Sequence, residues 1–427
     1  MTDTPWLSIV GVGENGADGL CGASRAALDA AQWIIGPPRH LALIDGLGAR
    51  AAERLVWPAP FADGLALVEA RRGRPGVVLA SGDPFWFGAG RSLARRLAAG
   101  EWRALPGPST FSLAAARLGW GLEQTLCLGL HAAPVTRLRP HLAPGVRALV
   151  LVRDGAAFAD LAQWLCDRGF AATRLWAMEA LGGPRERVRA ATAEAVAGQA
   201  VWAADPPAHP VCAALDMACD PAPAGGGAER VAGGGALLVP CASGWPDALF
   251  DHDGQITKRP VRALTLSALC PRAGEHLWDI GSGSGSVAIE WLACHASLRA
   301  TAVEADATRA RRLAANACAL GADRLAVVHG RAPEALAELR APDDRPDAVF
   351  IGGGLSEALL DAVWQRLAPG GRLVANAVTL ESEALLGRWQ RHVGGTLLRI
   401  ALSEAQPLGR RQAWAAAYPI VQWSVSR

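Results

Sequence analysis

A strand-like run, His276-Leu-Trp-Asp-Ile280, leads into Gly281-Ser282-Gly283-Ser284-Gly285 and then into Ser286-Val-Ala-Ile-Glu-Trp-Leu. This is a strand, a tight glycine turn and a helix, in which missing side chains let a ligand approach the backbone at a helix N-terminus. A dinucleotide fingerprint needs a third glycine at position 286, which is serine here, so the GxGxG spacing favours an adenosyl ligand without pyrophosphate, S-adenosylmethionine. Nineteen residues past Gly285, the run Ala300-Thr-Ala-Val ends in Glu304, where a carboxylate can accept from both ribose hydroxyls. A third run, Ala326-Val-Val-His, ends at Gly330-Arg-Ala332-Pro, the usual place for contacts to an adenine edge. A fourth, Asp347-Ala-Val-Phe-Ile351, ends in Gly352-Gly-Gly354, and Leu367-Ala-Pro-Gly-Gly371 turns into a fifth that carries Asn376. A nicotinamide-dependent oxidoreductase is the competing reading; Ser286 and the lack of a second nucleotide-binding half count against it.

The N-terminal half has its own glycine turns. Leu7-Ser-Ile-Val-Gly11-Val-Gly13 ends a strand in glycines, and Val77-Val-Leu-Ala-Ser81 is followed by Gly82-Asp83-Pro84-Phe-Trp-Phe-Gly88. Gly-Asp-Pro at a strand end is a rigid turn that aims a carboxylate and free N–H groups at one spot. The three aromatic residues beside it read mainly as core, with the flank of a planar ligand as the alternative. Leu105-Pro-Gly-Pro-Ser109-Thr110-Phe111 then opens a helix with Ser109 as its N-cap.

The elements that must position these turns alternate throughout: Val/Ile/Leu-rich runs and Ala/Leu/Arg stretches of helical period, the pattern of parallel sheets covered by helices. The fold class is α/β. Strands are predicted in the first half over 7–12, 33–35, 76–80, 125–130, 148–153, 173–178 and 236–239, with a Pro/Gly/Ala-rich loop over 205–235. A polar linker over 242–255 precedes a fresh alternation, which predicts two unlike domains, 1–242 and 243–427. At 427 residues and half apolar, the chain can bury sizeable cores. A net charge of +2 with no basic run argues against nucleic acid, and no apolar run approaches the ~20 residues of a membrane span. The expectation is a soluble, cytoplasmic protein. The nine cysteines contain no CxxC, so neither a metal site nor a disulfide framework is predicted, and they read as buried small hydrophobes. Arginine abundance is discounted as evidence for an anionic substrate, because Lys258 is the chain's one lysine and the bias looks compositional.

The run from Phe250 through Asp-His-Asp-Gly-Gln-Ile-Thr257-Lys258-Arg-Pro-Val-Arg262, with Leu277 to Glu290, His329-Gly-Arg-Ala-Pro-Glu334, Val349-Phe-Ile-Gly-Gly353 and Asn376-Ala-Val-Thr-Leu-Glu381, resembles the precorrin C15-methyltransferase/decarboxylase family of cobalamin synthesis. The resemblance implies S-adenosylmethionine contacts from Thr257, Gly281 to Gly285, Glu304 and Ala332. It leaves Lys258 and Arg262 as carboxylate-facing candidates or an exposed pair on a helix, and Asn376 as a further substrate candidate. The N-terminal motifs, with Ile35-Gly-Pro-Pro-Arg39-His40-Leu, Leu128-Gly-Leu-His131 and Met178-Glu-Ala-Leu-Gly-Gly-Pro-Arg-Glu-Arg187, resemble the tetrapyrrole methylase family and its precorrin C5-methylating branch. There Gly11, Gly13, Gly82, Asp83, Ser109 and Thr110 fall at methyl-donor positions, and His131 is a substrate candidate or a satisfied histidine. Glu14-Asn15 and Ala132-Ala133 depart from the branch's usual residues.

Together the halves resemble the fused precorrin-6Y C5,15-methyltransferases that also decarboxylate. This implies two S-adenosylmethionine sites, a tetrapyrrole substrate with or without cobalt, and a homo-oligomer, dimer or tetramer. Loss of chemistry in one half, leaving a binding or oligomerisation module, is the alternative.

Overall fold

Leu7–Val12 is buried at every position, as a strand with neighbours on both sides and helices on both faces should be. It is β1 of a sheet completed by β2 (Trp33–Gly36), β3 (Glu53–Val56), β4 (Gly76–Ser81) and β5 (Trp102–Leu105) in the order β3-β2-β4-β1-β5, all parallel. A second sheet combines β6 (Leu126–Gly129), β7 (Arg147–Leu151), β8 (Arg174–Glu179), β9 (Arg187–Thr192) and β10 (Val211–Asp216) in the order β6-β7-β10-β8-β9, parallel only between β6 and β7. The computed structural model describes residues 5–218, 238–339 and 344–427.

The third sheet holds β11 (His276–Ile280), β12 (Arg299–Glu304), β13 (Ala326–His329), β14 (Ala348–Ile351), β15 (Arg372–Ala377) and β16 (Thr396–Ile400). A hairpin of β17 (Ser403–Leu408) and β18 (Arg411–Ala416) pairs only with itself, and β19 (Ile420–Ser426) returns antiparallel between β15 and β16. The order is β13-β12-β11-β14-β15-β19-β16, so the strand sequence reverses between β11 and β14. Ligands of open α/β sheets bind at such a switch point, outside the carboxyl ends of the strands.

Contacts divide the described chain into two compact units, one of residues up to 133 and 143–218, the other of 134–142 and 238 onward. The α/β class holds in both. No described helix is long and apolar enough to cross a membrane.

Four expectations need correction. The loop predicted over 205–235 contains β10, a central strand that is nearly all buried. Its sequence, Val-Cys-Ala-Ala-Leu-Asp, is low in β-branched residues and follows Pro206, Pro207 and Pro210, which hid it. The predicted linker over 242–255 is not a solvated connector: Trp245 and Phe250 join the core of the second unit. Cys21, Cys241, Cys270, Cys294 and Cys318 are exposed, and of the described cysteines only Cys212 is buried; residue-type preference was their sole basis. Phe85, Trp86 and Phe87 are about half exposed rather than core. Half of the strand predicted over 236–239, and Cys219, lie outside the described residues.

Candidate active sites

A cavity of about 490 Å³ lies between the two sheets of the first unit, where β1 and β4 end. Gly13, Gly82, Asp83, Ser109, Thr110 and His131 all line it. Asp83 accepts from Phe85 N at 2.8 Å, which closes the turn. Ser109 caps the helix Thr110–Leu118 by accepting from Ser112 N at 3.0 Å, as its position predicts. Gly11 is glycine for another reason: a Cβ there would lie 1.8 Å from the Gly82 carbonyl oxygen and 2.6 Å from Gly107 N. It lets the turns after β1, β4 and β5 pack against one another, and it is not part of the cavity lining.

Trp86 and Phe87 form part of the cavity wall, their rings 5.1 and 6.0 Å from that of Phe111. Phe87 adopts φ 59°, a left-handed conformation that costs a bulky residue energy and marks strain held at a site.

The lining also contains a polar group that the motifs did not single out. Glu14 receives hydrogen bonds from Arg39 and, at 3.1 Å, from Arg185. Arg39 Nη2 also donates to His40 Nε2 at 2.8 Å and to Ser81 Oγ at 3.1 Å. Burial, with the adjacent Arg39 charge, pushes the His40 pKa down to about 4, so its ring is neutral near pH 7. Arg39-His40 stood in the quoted motif, but its partners come from distant segments and no local spacing reveals them.

The second candidate site sits on β11 and β12. Gly281 has φ 68°, and a Cβ on it would lie 2.7 Å from Gly353 N, so two strand-end turns meet only because this residue is glycine. Glu304 is buried, with Oε2 accepting from Gly283 N at 2.8 Å and Oε1 from Asp306 N at 2.9 Å. Each oxygen keeps lone-pair capacity for a further donor, as a ribose diol requires. Asn316 donates to Ser284 O at 2.9 Å and ties the loop to the helix Ala307–Ala319.

Under the loop, Asp279 Oδ2 accepts from Ser282 Oγ at 2.8 Å and Ala288 N at 3.1 Å, while its Oδ1 has no partner. Burial pushes its pKa up to about 7, with the Glu304 charge adding to the rise against those two hydrogen bonds. Ser284 Oγ is a second buried, unpartnered atom in the same loop. Unpaired buried polar atoms beside an open glycine turn fit a site made for a polar ligand such as S-adenosylmethionine. Thr257 and Ala332 are half-buried in loops of the same unit.

Arg262 corrects the sequence reading. Its guanidinium has no exposure and is committed to Glu290 Oε1 at 2.5 Å, Asp247 Oδ1 at 3.0 Å and the carbonyls of Thr257 and Trp245, with the Phe250 ring 4.9 Å away. It clamps the segment before the helix Arg259–Leu269 and has no face left for a substrate. Lys258 is 58% exposed and 4.0 Å from Asp247. Asn376 is half-buried at the carboxyl end of β15, donating to Thr265 Oγ1 at 3.1 Å and accepting from Gln422 Nε2 at 3.0 Å.

Residues 248–427 match the family described as precorrin methyltransferase domain, and residues 7–197 that of tetrapyrrole (corrin/porphyrin) methylases. The chain is 46% identical over 424 residues to a precorrin-6Y C(5,15)-methyltransferase (decarboxylating) of Sinorhizobium sp, covering 99% of this chain and 96% of that protein. The chain belongs to the precorrin-6Y C(5,15)-methyltransferase family. The counterpart from Mycobacterium tuberculosis is 38% identical over 424 residues, 99% of this chain and 100% of its own length. A solved C-terminal domain of precorrin-6Y C5,15-methyltransferase from Rhodobacter capsulatus is 52% identical, covering 44% of this chain and 100% of that chain at a TM-score of 0.42. The family's domains are those of S-adenosylmethionine-dependent methyltransferases, fused in one chain as the motifs implied.

Proposed function

We propose that the chain methylates a precorrin at C5 through residues 1–242 and at C15 through residues 243–427. The C-terminal half also removes the ring C acetate carboxyl, taking precorrin-6B to precorrin-8X in cobalamin biosynthesis. One observation carries the reading of two active halves: each unit has its own glycine-lined turns at the carboxyl ends of parallel strands, and so its own place for a methyl donor.

S-adenosylmethionine supplies an electrophilic methyl group on a sulfonium. The acceptor, a meso carbon of a reduced tetrapyrrole, is already enamine-like, so the residues mainly have to align it for in-line displacement. In the C-terminal half Glu304 and the turn Gly281 to Gly285 are assigned to the donor's adenosyl end, with Thr257 and Ala332 beside them. In the N-terminal half Gly13, Gly82, Asp83, Ser109 and Thr110 take that part. Loss of CO2 leaves an electron pair that the conjugated macrocycle absorbs; the protein's contribution is to hold the peripheral carboxylates and desolvate the reacting one. Lys258, Asn376 and, in the first cavity, His131 are assigned to the substrate. We assign no catalytic base.

We also place the enzyme in the cytoplasm as a homo-oligomer. The hairpin of β17 and β18 supports self-association, being exposed along nearly its whole length with Trp414 77% accessible. Calorimetric titration with S-adenosylmethionine tests the two-site reading: two equivalents per chain are expected, and one equivalent would remove a site.

A further inference from the structure

The polar cluster at the first cavity spans both lobes of the N-terminal unit. Glu14 lies in the turn after β1 and Arg39 in the helix Pro38–Leu43, while Arg185 comes from the loop between β8 and β9. That loop approaches closely: a Cβ on Gly183 would lie 2.6 Å from the Glu14 Cβ, so glycine there lets turn and loop meet. Glu14 is buried and takes Arg39 on Oε1 and Arg185 on Oε2.

The charges in this cluster do not cancel. Two guanidiniums face one carboxylate, and neither has another acidic partner among the described residues. His40, against Arg39, is neutral near pH 7 and adds nothing. The trio of Glu14, Arg39 and Arg185 therefore carries one positive charge; Asp83, the other carboxylate of the cavity lining, is in no ion pair with either arginine.

The donors do not cancel either. A guanidinium has five N–H donors in a planar fork that matches a carboxylate. Arg185 donates once, to Glu14, and its side chain is 62% exposed. Arg39 is turned by Glu14 on one side and by His40 Nε2 and Ser81 Oγ on the other, which fixes the plane of its fork. Both arginines reach the same carboxylate, Arg39 on Oε1 and Arg185 on Oε2, and each keeps N–H donors that Glu14 does not use.

We propose that Arg39 and Arg185, held in place by Glu14, form a recognition site that docks one peripheral carboxylate of the tetrapyrrole at the mouth of the N-terminal cavity. This rests on the reading that the N-terminal half methylates such a substrate. Docking one carboxylate neutralises the leftover charge and relieves repulsion between the two guanidiniums. Glu14 and Ser81-His40 are positioning groups, since they act through the arginines.

Arg185→Gln in the full chain is the test, because an exposed loop side chain can be replaced without unfolding the protein. KM for methylation at C5 is expected to rise about tenfold, the effect of one lost charge-assisted contact. KM for the C15 step, measured on the same samples, should not move. Arg185→Lys should recover part of the loss, and added salt should narrow the gap between parent and Arg185→Gln. Arg39→Gln should act in the same direction. An Arg185→Gln protein with parental KM at C5 and a parental salt response overturns the proposal. A parent chain that adds no methyl at C5 defeats the underlying reading, and the proposal with it, before any variant is made.

Discussion

Arg262→Met is expected to destabilise the C-terminal unit rather than to weaken its hold on substrate. The wild-type guanidinium is fully buried against Glu290, whose side chain is 1% exposed, and it also holds the carbonyls of Trp245 and Thr257. Methionine keeps much of the volume but strands the Glu290 carboxylate, which is left with two backbone donors, Gly244 N at 2.6 Å and Trp245 N at 2.9 Å. Removing one partner of a buried ion pair costs about 3–5 kcal/mol, a large share of the ~5–15 kcal/mol that holds a domain together. At about 2–4 °C per kcal/mol for a unit of this size, the transition should fall by roughly 6–20 °C. Hydrogen exchange followed by mass spectrometry would place the loss in the segments around Trp245 and the helix Arg259–Leu269. Adding Glu290→Gln removes the stranded charge and should restore at least half of the loss. Lys258→Ala, on an exposed side chain, should change stability by no more than about 0.5 kcal/mol. An Arg262→Met protein with parental melting and protection but a raised KM for the tetrapyrrole would refute the clamp and return Arg262 to the substrate.

Asp279 gives a pH signature of definite sign. Its folded pKa, raised to about 7 by burial, lies above the unfolded value, so the folded chain binds more protons between about pH 4 and pH 7 and loses stability as pH rises through that window. About three pKa units correspond to about 4 kcal/mol, an upper bound. Asp279→Asn keeps an oxygen for Ser282 and Ala288 but cannot ionise, so its stability relative to the parent should improve from pH 4 to pH 8; a constant difference would show that Asp279 is not held protonated. Glu304→Ala should lower S-adenosylmethionine stoichiometry from two to one per chain by calorimetry, and unchanged stoichiometry would take Glu304 out of the site. Asp83→Ala should impair methylation at C5 alone; a variant that adds both methyls at the parental rate would contradict the placement of the N-terminal site.

What could be read from the sequence is what neighbouring residues decide. The glycine turn at Gly281 to Gly285, the carboxylate of Glu304 at the end of β12 and the N-cap at Ser109 each depend on a few adjacent positions, and the structure places them as strand–turn–helix, strand end and cap. Gly13, Gly82, Asp83, Ser109, Thr110 and His131, although scattered along the chain, meet at one cavity because strand-end loops of the two sheets converge there. Pairings over long separations were hidden. Arg262 reads as a helix-face cation until Glu290, Asp247 and Phe250 are seen around it. Glu14 stood out as a departure from the methylase branch, yet its partners Arg39 and Arg185 are 25 and 171 positions away. β10 went unread because alanine and cysteine fill a buried central strand here, with Val211 its one β-branched residue.

The most direct test of two active halves is the mass of the tetrapyrrole after the full chain is incubated with S-adenosylmethionine and precorrin-6B, with Glu304→Ala and Asp83→Ala run alongside. The expected product has gained two methyl groups and lost one CO2. Asp83→Ala should lack the methyl at C5, and Glu304→Ala should lack the methyl at C15. A parental product with a single added methyl group, or none, would contradict the assignment of one methylation to each half.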